Sequence, residues 1–206
     1  MLDIRNIDCM DLMAQYPDKH FELAIVDPPY SLANRLQGGS SSEFIKAQKE
    51  KINKWDSAIP SSEYFKELFR VSKKQIIWGG NYFELPPTRC FIIWDKTIHG
   101  NSYSDCEFAW TNFDSPSRIF ALNISLITSE GRIHPTQKAV SMYKWLLHNY
   151  AKQGDKILDT HLGSGSIAIA CHQMGFDLKG SELDKDYFDA MQNRIKYETA
   201  QKDMFQ

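Results

Sequence analysis

The sequence predicts an α/β fold built on a doubly wound, mostly parallel sheet, and three observations carry that prediction. Short apolar runs alternate with amphipathic stretches along the whole chain. One run, Leu23-Ala24-Ile25-Val26, stops at Asp27-Pro28-Pro29-Tyr30. Another, Lys156-Ile157-Leu158-Asp159, opens into the turn Thr160-His161-Leu162-Gly163-Ser164-Gly165-Ser166 before a helical pattern begins. Both interruptions put polar and aromatic side chains at the carboxyl end of a strand, which is where open α/β sheets hold ligands.

The first element is a short strand, Ile4 to Ile7, ending at Asp8; a helix from Cys9 to about Gln15 then stops before Pro17. Leu23–Val26 is a continuous apolar run of the kind found in buried parallel strands. From Ser31 to Pro60 the chain turns polar, and Gly38-Gly39-Ser40-Ser41-Ser42 predicts a mobile stretch. Ser61 or Ser62 caps a helix whose Tyr64, Phe65, Leu68 and Phe69 form one apolar stripe. Strands are predicted at Gln75–Trp78, Phe91–Trp94, Glu107–Trp110 and Ile119–Leu122. After His134-Pro135-Thr136, with Thr136 as candidate N-cap, a helix runs through Val140, Tyr143, Trp145, Leu146 and Leu147. Lys156–Asp159 is a strand, Ile167 to Met174 a helix and Phe176 to Ser181 a strand. A last helix carries Tyr187, Phe188, Met191 and Ile195 on one side, and nothing in the chain repeats.

With 206 residues, 42% hydrophobic and 24% charged, the chain has the balance of one globular domain over residues 1–206. No apolar run reaches bilayer length and Met1-Leu2-Asp3-Ile4-Arg5 lacks a signal-peptide core, so a cytoplasmic protein is expected. Cys9, Cys90, Cys106 and Cys171 lie far apart, and indicate neither a zinc site nor a disulfide framework. A net charge of −2 does not announce a nucleic-acid binder, but phosphate contacts need only a local basic face. Leu32 to Asp56 offers one: Arg35, Lys46, Lys49, Lys51 and Lys54 stand against three acids. A solvated helix face is the plainer reading of those lysines.

Asp27-Pro28-Pro29-Tyr30 suits the holding of a planar, amino-bearing ring. A carboxylate and a Pro-Pro backbone carbonyl can accept hydrogens from an exocyclic NH2, while a tyrosine stacks on the ring. The plainer alternative is a proline turn after a strand. In the second segment Gly163 and Gly165 permit a tight turn and close approach to the backbone, and the helix start offers N–H groups to an anion. Glu182, one strand–helix–strand unit later, is placed to accept hydrogen bonds from a ribose diol. Gly163-Ser-Gly165-Ser-Ile-Ala168 meets the loose dinucleotide pattern, so an adenosine-containing cofactor is expected, against a turn that serves packing alone.

Asp27-Pro28-Pro29-Tyr30, His134-Pro135-Thr136-Gln137-Lys138, Asp159–Ser166 and Glu182, in that order, resemble the β-class DNA amino-methyltransferases, from Asp8 to about Tyr187. The resemblance implies a Rossmann-like methyltransferase fold, circularly permuted and with an antiparallel edge, acting on double-stranded DNA with S-adenosylmethionine as methyl donor. It implies that Asp27 and the carbonyl of Pro28 hold the target amine, with Pro29 completing the turn and Tyr30 stacking on a flipped base. Asp8 and Cys9 would lie near the cofactor adenine and Glu182 at the ribose. Asp27, His134, Thr136, Lys138, Asp159, Gly163, Ser164 and Gly165 would complete the cofactor site. Two departures are visible: Ala139 replaces the usual proline after Lys138, and Thr160-His161 stands where proline and phenylalanine are common.

Within the family Asp-Pro-Pro-Tyr favours N6 of adenine, with N4 of cytosine the alternative. Methylation at cytosine C5 is not expected, because its cysteine nucleophile follows proline and no Pro-Cys pair occurs here. RNA or protein amide methylation would use a related site in unpermuted order. A nicotinamide oxidoreductase leaves the Asp27 segment unexplained and has only 38 residues after Ala168 for a second nucleotide-binding half. A non-catalytic DNA-binding protein with a decayed site sits poorly with intact Asp27, Tyr30, Gly163, Gly165 and Glu182. DNA-recognition insertions are expected at 32–60 and 96–132, with Lys96 and Arg118 as further phosphate contacts. A short target sequence and a homodimer are expected from chain length, not from particular residues.

Overall fold

The computed structural model describes residues 1–30, 59–100, 104–123, 125 and 132–200. Its strands are β1 (Leu2–Arg5), β2 (Phe21–Val26), β3 (Ser72–Trp78), β4 (Phe91–Asp95), β5 (Cys106–Thr111), β6 (Arg118–Ala121), β7 (Lys156–Asp159) and β8 (Asp177–Ser181). Among the described residues the helices are α1 (Cys9–Met13), α2 (Ser62–Val71), α3 (Val140–Tyr150), α4 (Ser166–Met174) and α5 (Lys185–Ala200), with a 3-10 turn at Gly80–Tyr82.

The eight strands form one sheet in the order β1-β8-β7-β2-β3-β5-β4-β6. All neighbours are parallel except β5, which runs against both β3 and β4. The antiparallel feature therefore lies inside the sheet, with β4 and β6 beyond it, and not at the edge. A hairpin makes the reversal: β4 turns back into β5, with Lys96 N donating to Asp105 O at 3.0 Å.

Residue alternation along β2 divides the core. Leu23 and Ile25 pack on the α3–α4 side with Ile76, Trp78 and Ile157. Ala24 and Val26 pack on the other side against Leu12, Tyr64, Leu68 and Val71, and Phe21, at the strand's first position, joins that cluster out of the alternation. Side chains on a strand point alternately to opposite faces, so β2, apolar at every position from Leu23 to Val26, must be covered on both.

Two boundaries differ from expectation for local reasons. β1 ends at Arg5 because the Asn6 amide bonds the Glu182 and Leu183 carbonyls, and Asp8 then caps α1 by accepting from Met10 N at 2.7 Å. That turn removes Ile7 from the sheet. Thr136 does not cap α3, whose N-cap position is Ala139; the Thr136 hydroxyl lies 3.1 Å from His134 Nδ1 instead. Most of the 32–60 insertion lies outside the described residues, including Gly38–Ser42 and the cationic candidates Arg35, Lys46, Lys49, Lys51 and Lys54. No described helix is long and apolar enough to cross a membrane.

Candidate active site

β2 and β7 are adjacent and parallel, with Leu23 opposite Ile157 and Ala24 opposite Leu158. Their carboxyl ends therefore deliver Asp27 and the glycine turn to one place, at the crevice where connections leave in opposite directions. Pro28 and Pro29 lack the N–H needed to extend the ladder, which ends β2 and turns the chain at Asp27.

Asp27 is charge-paired. Lys138 Nζ donates to Asp27 Oδ2 and lies 3.4 Å from Glu107 Oε2, with its side chain 2% exposed. Burial opposes the lysine's charge, but Asp27 and Glu107 outweigh it and hold its pKa above the usual value. Burial likewise opposes ionisation of Glu107, and Lys138 and Lys96 overcome it to lower that pKa. The Trp78 ring lies 5.2 Å from the ammonium. The Asp27 carboxylate is thus an oriented hydrogen-bond acceptor.

A cavity of about 420 Å³ opens beside Asp27 and runs to Glu182 and Asp184. Asp8, Cys9, Asp27, Pro29, His134 and Thr136 contribute to its wall, as do Lys138, Gly163, Ser164 and Glu182. At one end Glu182 Oε2 accepts from Gly163 N at 2.8 Å and Oε1 from Asp184 N at 3.0 Å, while its own N–H reaches Arg5 O. Burial raises the Glu182 pKa, against the pull of those two backbone N–H groups. Burial and the neighbouring Asp8 raise the Cys9 thiol to about 11, so it stays protonated at neutral pH.

The glycine turn is shaped from behind. Gly163 and Gly165 have φ of +52° and +73°, and a Cβ on Gly165 would stand 2.5 Å from Met191 Cγ. Arg194 on α5 donates to the Ser164 carbonyl at 3.0 Å and to Ser166 Oγ at 2.9 Å. Gly163 instead faces the His134 ring, which meets Tyr187 edge-on at 4.4 Å. Burial, with help from Lys138 and Arg132, drops the His134 pKa to about 3 and leaves the ring neutral.

Four of the expected site residues do not line the cavity. Pro28 is buried in the turn, and Gly165 lies beneath the glycine loop. Asp159 is 1% exposed under the floor, where its Oδ1 accepts from His161 N at 2.9 Å and burial raises its pKa to about 8. A protonated acid at that depth braces the turn and has no contact with the cavity. Tyr30 stacks on Tyr82 just outside. Of the two described DNA-contact candidates, Arg118 is exposed on edge strand β6, but Lys96 is not free for phosphate. Its ammonium pairs with Glu107 at 3.1 Å and its side chain is 13% exposed, because β4 and β5 face each other across the hairpin.

The cavity also takes in residues that were not among the expected site residues. Ile7, Gln137, Tyr143, Leu183, Asp184 and Tyr187 line it. Thr160 and His161 do so as well, joined to Tyr64 through a hydroxyl pair at 2.7 Å and a Thr160–His161 contact at 2.9 Å. Their place in the glycine turn was the available clue. Arg194 gives none, being one arginine on a helix.

Residues 88–193 match the family model described as DNA methylase, of the N6/N4 type. The type II methyltransferase M2.DpnII from Streptococcus pneumoniae is 31% identical, over 93% of this chain and 88% of its own length. Among solved structures, M1.HpyAVI in complex with SAM has a TM-score of 0.62 at 18% identity, covering 94% of this chain and 100% of that one. PvuII DNA methyltransferase, described as cytosine-N4-specific, also gives 0.62, at 11% identity over 97% and 91% of the two chains. At those identities the structural likeness is one of fold.

Proposed function

The chain belongs to the N6/N4 DNA methylase family, and on that premise we propose that it transfers methyl from S-adenosylmethionine to N6 of an adenine flipped out of duplex DNA. The observation that carries this reading is the adjacency of β2 and β7, which brings Asp27 and the Gly163 turn to one cavity. Adenine is favoured over cytosine by the Asp27-Pro28-Pro29-Tyr30 tetrapeptide. Cytosine N4 is the second reading, since the family model that matches covers both N6 and N4 enzymes.

The cavity's chemistry fits the cofactor. Glu182 offers a carboxylate for a ribose diol, and Ile7, Cys9 and Leu183 offer apolar surface for a purine. His134, Thr136, Gly163 and Ser164 serve the methionine end, where an alanine Cβ at position 163 would rest in ordinary contact on His134, and a larger side chain would enter the cavity. The bound cofactor supplies an electrophilic methyl group on a sulfonium sulfur.

The protein's part is to make a poor nucleophile attack. An aromatic amine delocalises its lone pair into the ring. Hydrogen bonds from its N–H groups to the Asp27 carboxylate and the Pro28 carbonyl favour a tetrahedral nitrogen and free that pair. Lys138 fixes the Asp27 carboxylate in its acceptor form. A strong base is not required, because the methylated ammonium loses its proton readily. Flipping costs roughly a few kcal/mol and is offset by stacking in the pocket. Arg118, and outside the described residues Arg35, Lys46, Lys49, Lys51 and Lys54, contact phosphate. Alanine at Lys46, Lys49 and Lys51 then weakens DNA binding and flattens its salt dependence.

The test is incubation with unmodified DNA and methyl-labelled S-adenosylmethionine, followed by nucleoside analysis. N6-methyladenine is the expected product. N4-methylcytosine would correct the base and keep the mechanism, and unlabelled DNA from a cofactor-binding protein would overturn the DNA reading.

A further inference from the structure

Tyr30 and Tyr82 are stacked face to face, with ring centroids 4.9 Å apart and planes within 3°. Tyr82 closes the 3-10 turn that follows β3, and it is 39% exposed. The start of that turn is fixed. A Cβ on Gly80 would stand 2.4 Å from Trp110 Cβ, and one on Gly79, at φ +68°, would stand 2.7 Å from Tyr30 Cδ1. Two glycines therefore let the end of β3 press against both Trp110 and the Tyr30 ring. Phe83 anchors the far end of the turn, 5.1 Å from the Phe65 ring, and meets Tyr30 edge-on at 6.4 Å. Between these anchors Asn81 and Tyr82 are exposed, and Tyr82 is the aromatic one, its ring parallel to Tyr30.

From this geometry we infer that Tyr82 is a second aromatic wall of the acceptor site, which sandwiches the flipped base against Tyr30. The inference rests on the base-methylation reading above and adds a residue to it. A planar base between two rings needs them about 7 Å apart, two stacking layers. Starting from 4.9 Å and already parallel, Tyr82 reaches that spacing by a small outward shift of an exposed side chain, with Gly79, Gly80 and Phe83 unmoved. Base–aromatic stacking is sequence-tolerant and strong enough to hold an extruded nucleotide. The residue contributes to DNA affinity and base capture, not to the cofactor cavity, which it does not line.

The experiment uses the intact protein and a duplex carrying the site mapped by methyl labelling. A matching duplex has 2-aminopurine at the target position. Tyr82→Ala should raise KM for DNA about 10-fold with cofactor Kd unchanged, and should brighten the bound 2-aminopurine, because one quenching ring is gone. Tyr82→Phe should restore both values to near wild type. A rise in kcat/KM in Tyr82→Ala would overturn the inference, showing a plug that competes with the base. A fall in kcat/KM with unaltered 2-aminopurine emission would also overturn it, showing that Tyr82 only backs Tyr30. Wild-type methylation is measured in the same assay. Failure of wild type to label DNA defeats the underlying reading, whereas an active wild type with an indifferent Tyr82→Ala defeats this inference alone.

Discussion

Lys138 donates to Asp27 from a side chain that is 2% exposed, across 111 positions of sequence. A buried cation is thereby matched to the carboxylate at the end of β2, with Glu107 as its second partner at 3.4 Å. Removing one member of a buried charge group leaves the others uncompensated, at a typical cost of about 3–5 kcal/mol. Lys138→Met should lower stability by roughly that amount, read as a drop in urea midpoint. Adding Asp27→Asn to it should recover part of the loss. Additive losses in the double mutant would show that the two side chains are not coupled.

Asp27→Ala separates chemistry from cofactor binding. The carboxylate borders the cavity, but the Glu182 and Gly163 end is formed independently of it. Methyl transfer should fall by about 100-fold or more, the scale for losing one oriented transition-state partner, with cofactor Kd changed only a few-fold. Unchanged turnover would remove Asp27 from the reacting centre.

The two left-handed glycines should respond differently. At Gly165 a Cβ meets Met191 at 2.5 Å, so Gly165→Ala combines backbone strain with a steric clash and should cost about 2 kcal/mol or more of stability. At Gly163 the nearest contact is an ordinary 3.5 Å to His134, on the cavity side. Gly163→Ala should cost about 1 kcal/mol of stability, and Gly163→Val should weaken cofactor binding before it impairs folding. Calorimetric Tm and cofactor titration distinguish these outcomes.

Three buried groups set opposing slopes of stability with pH. Burial holds His134 near 3 and His161 near 4, below the unfolded value of 6.5. Their contribution is complete above pH 6.5 and is lost as pH falls through the folded values. Burial raises Asp159 from 3.8 to about 8, so its contribution is complete below pH 3.8 and is lost as pH rises through about 8. Two histidines outweigh one acid below pH 6.5, and the acid acts alone above it, which places the maximum from these groups near pH 6.5. Denaturation across pH 5 to 9 should show Asp159→Asn flattening the alkaline limb. An unaltered limb would mean that Asp159 is ionised in the folded chain.

Much of the sheet was legible because periodicity and strand-ending residues are local properties. Lys156–Asp159 was read to the residue, since its apolar core is bounded by charge and glycine. The start of β1 and the missing Thr136 cap were not legible. Each depends on a partner distant in sequence or on a competing side chain: Leu178 for β1, and the His134 ring for Thr136. Lys96 was read as a phosphate contact because it is a lysine at the start of the 96–132 candidate recognition stretch. Its engagement by Glu107 requires the β4–β5 hairpin.

The order of the motifs, the acid and aromatic at the end of β2, and the glycine turn before α4 are written in the chain, because they depend on residue type and short-range geometry. The pairing of Lys138 with Asp27, the Arg194 brace on the Ser164 carbonyl and the stacking of Tyr82 on Tyr30 are not. Each joins groups that only strand order and helix packing bring within reach, and the energies of buried charge and ring contact exist only once that approach has excluded water.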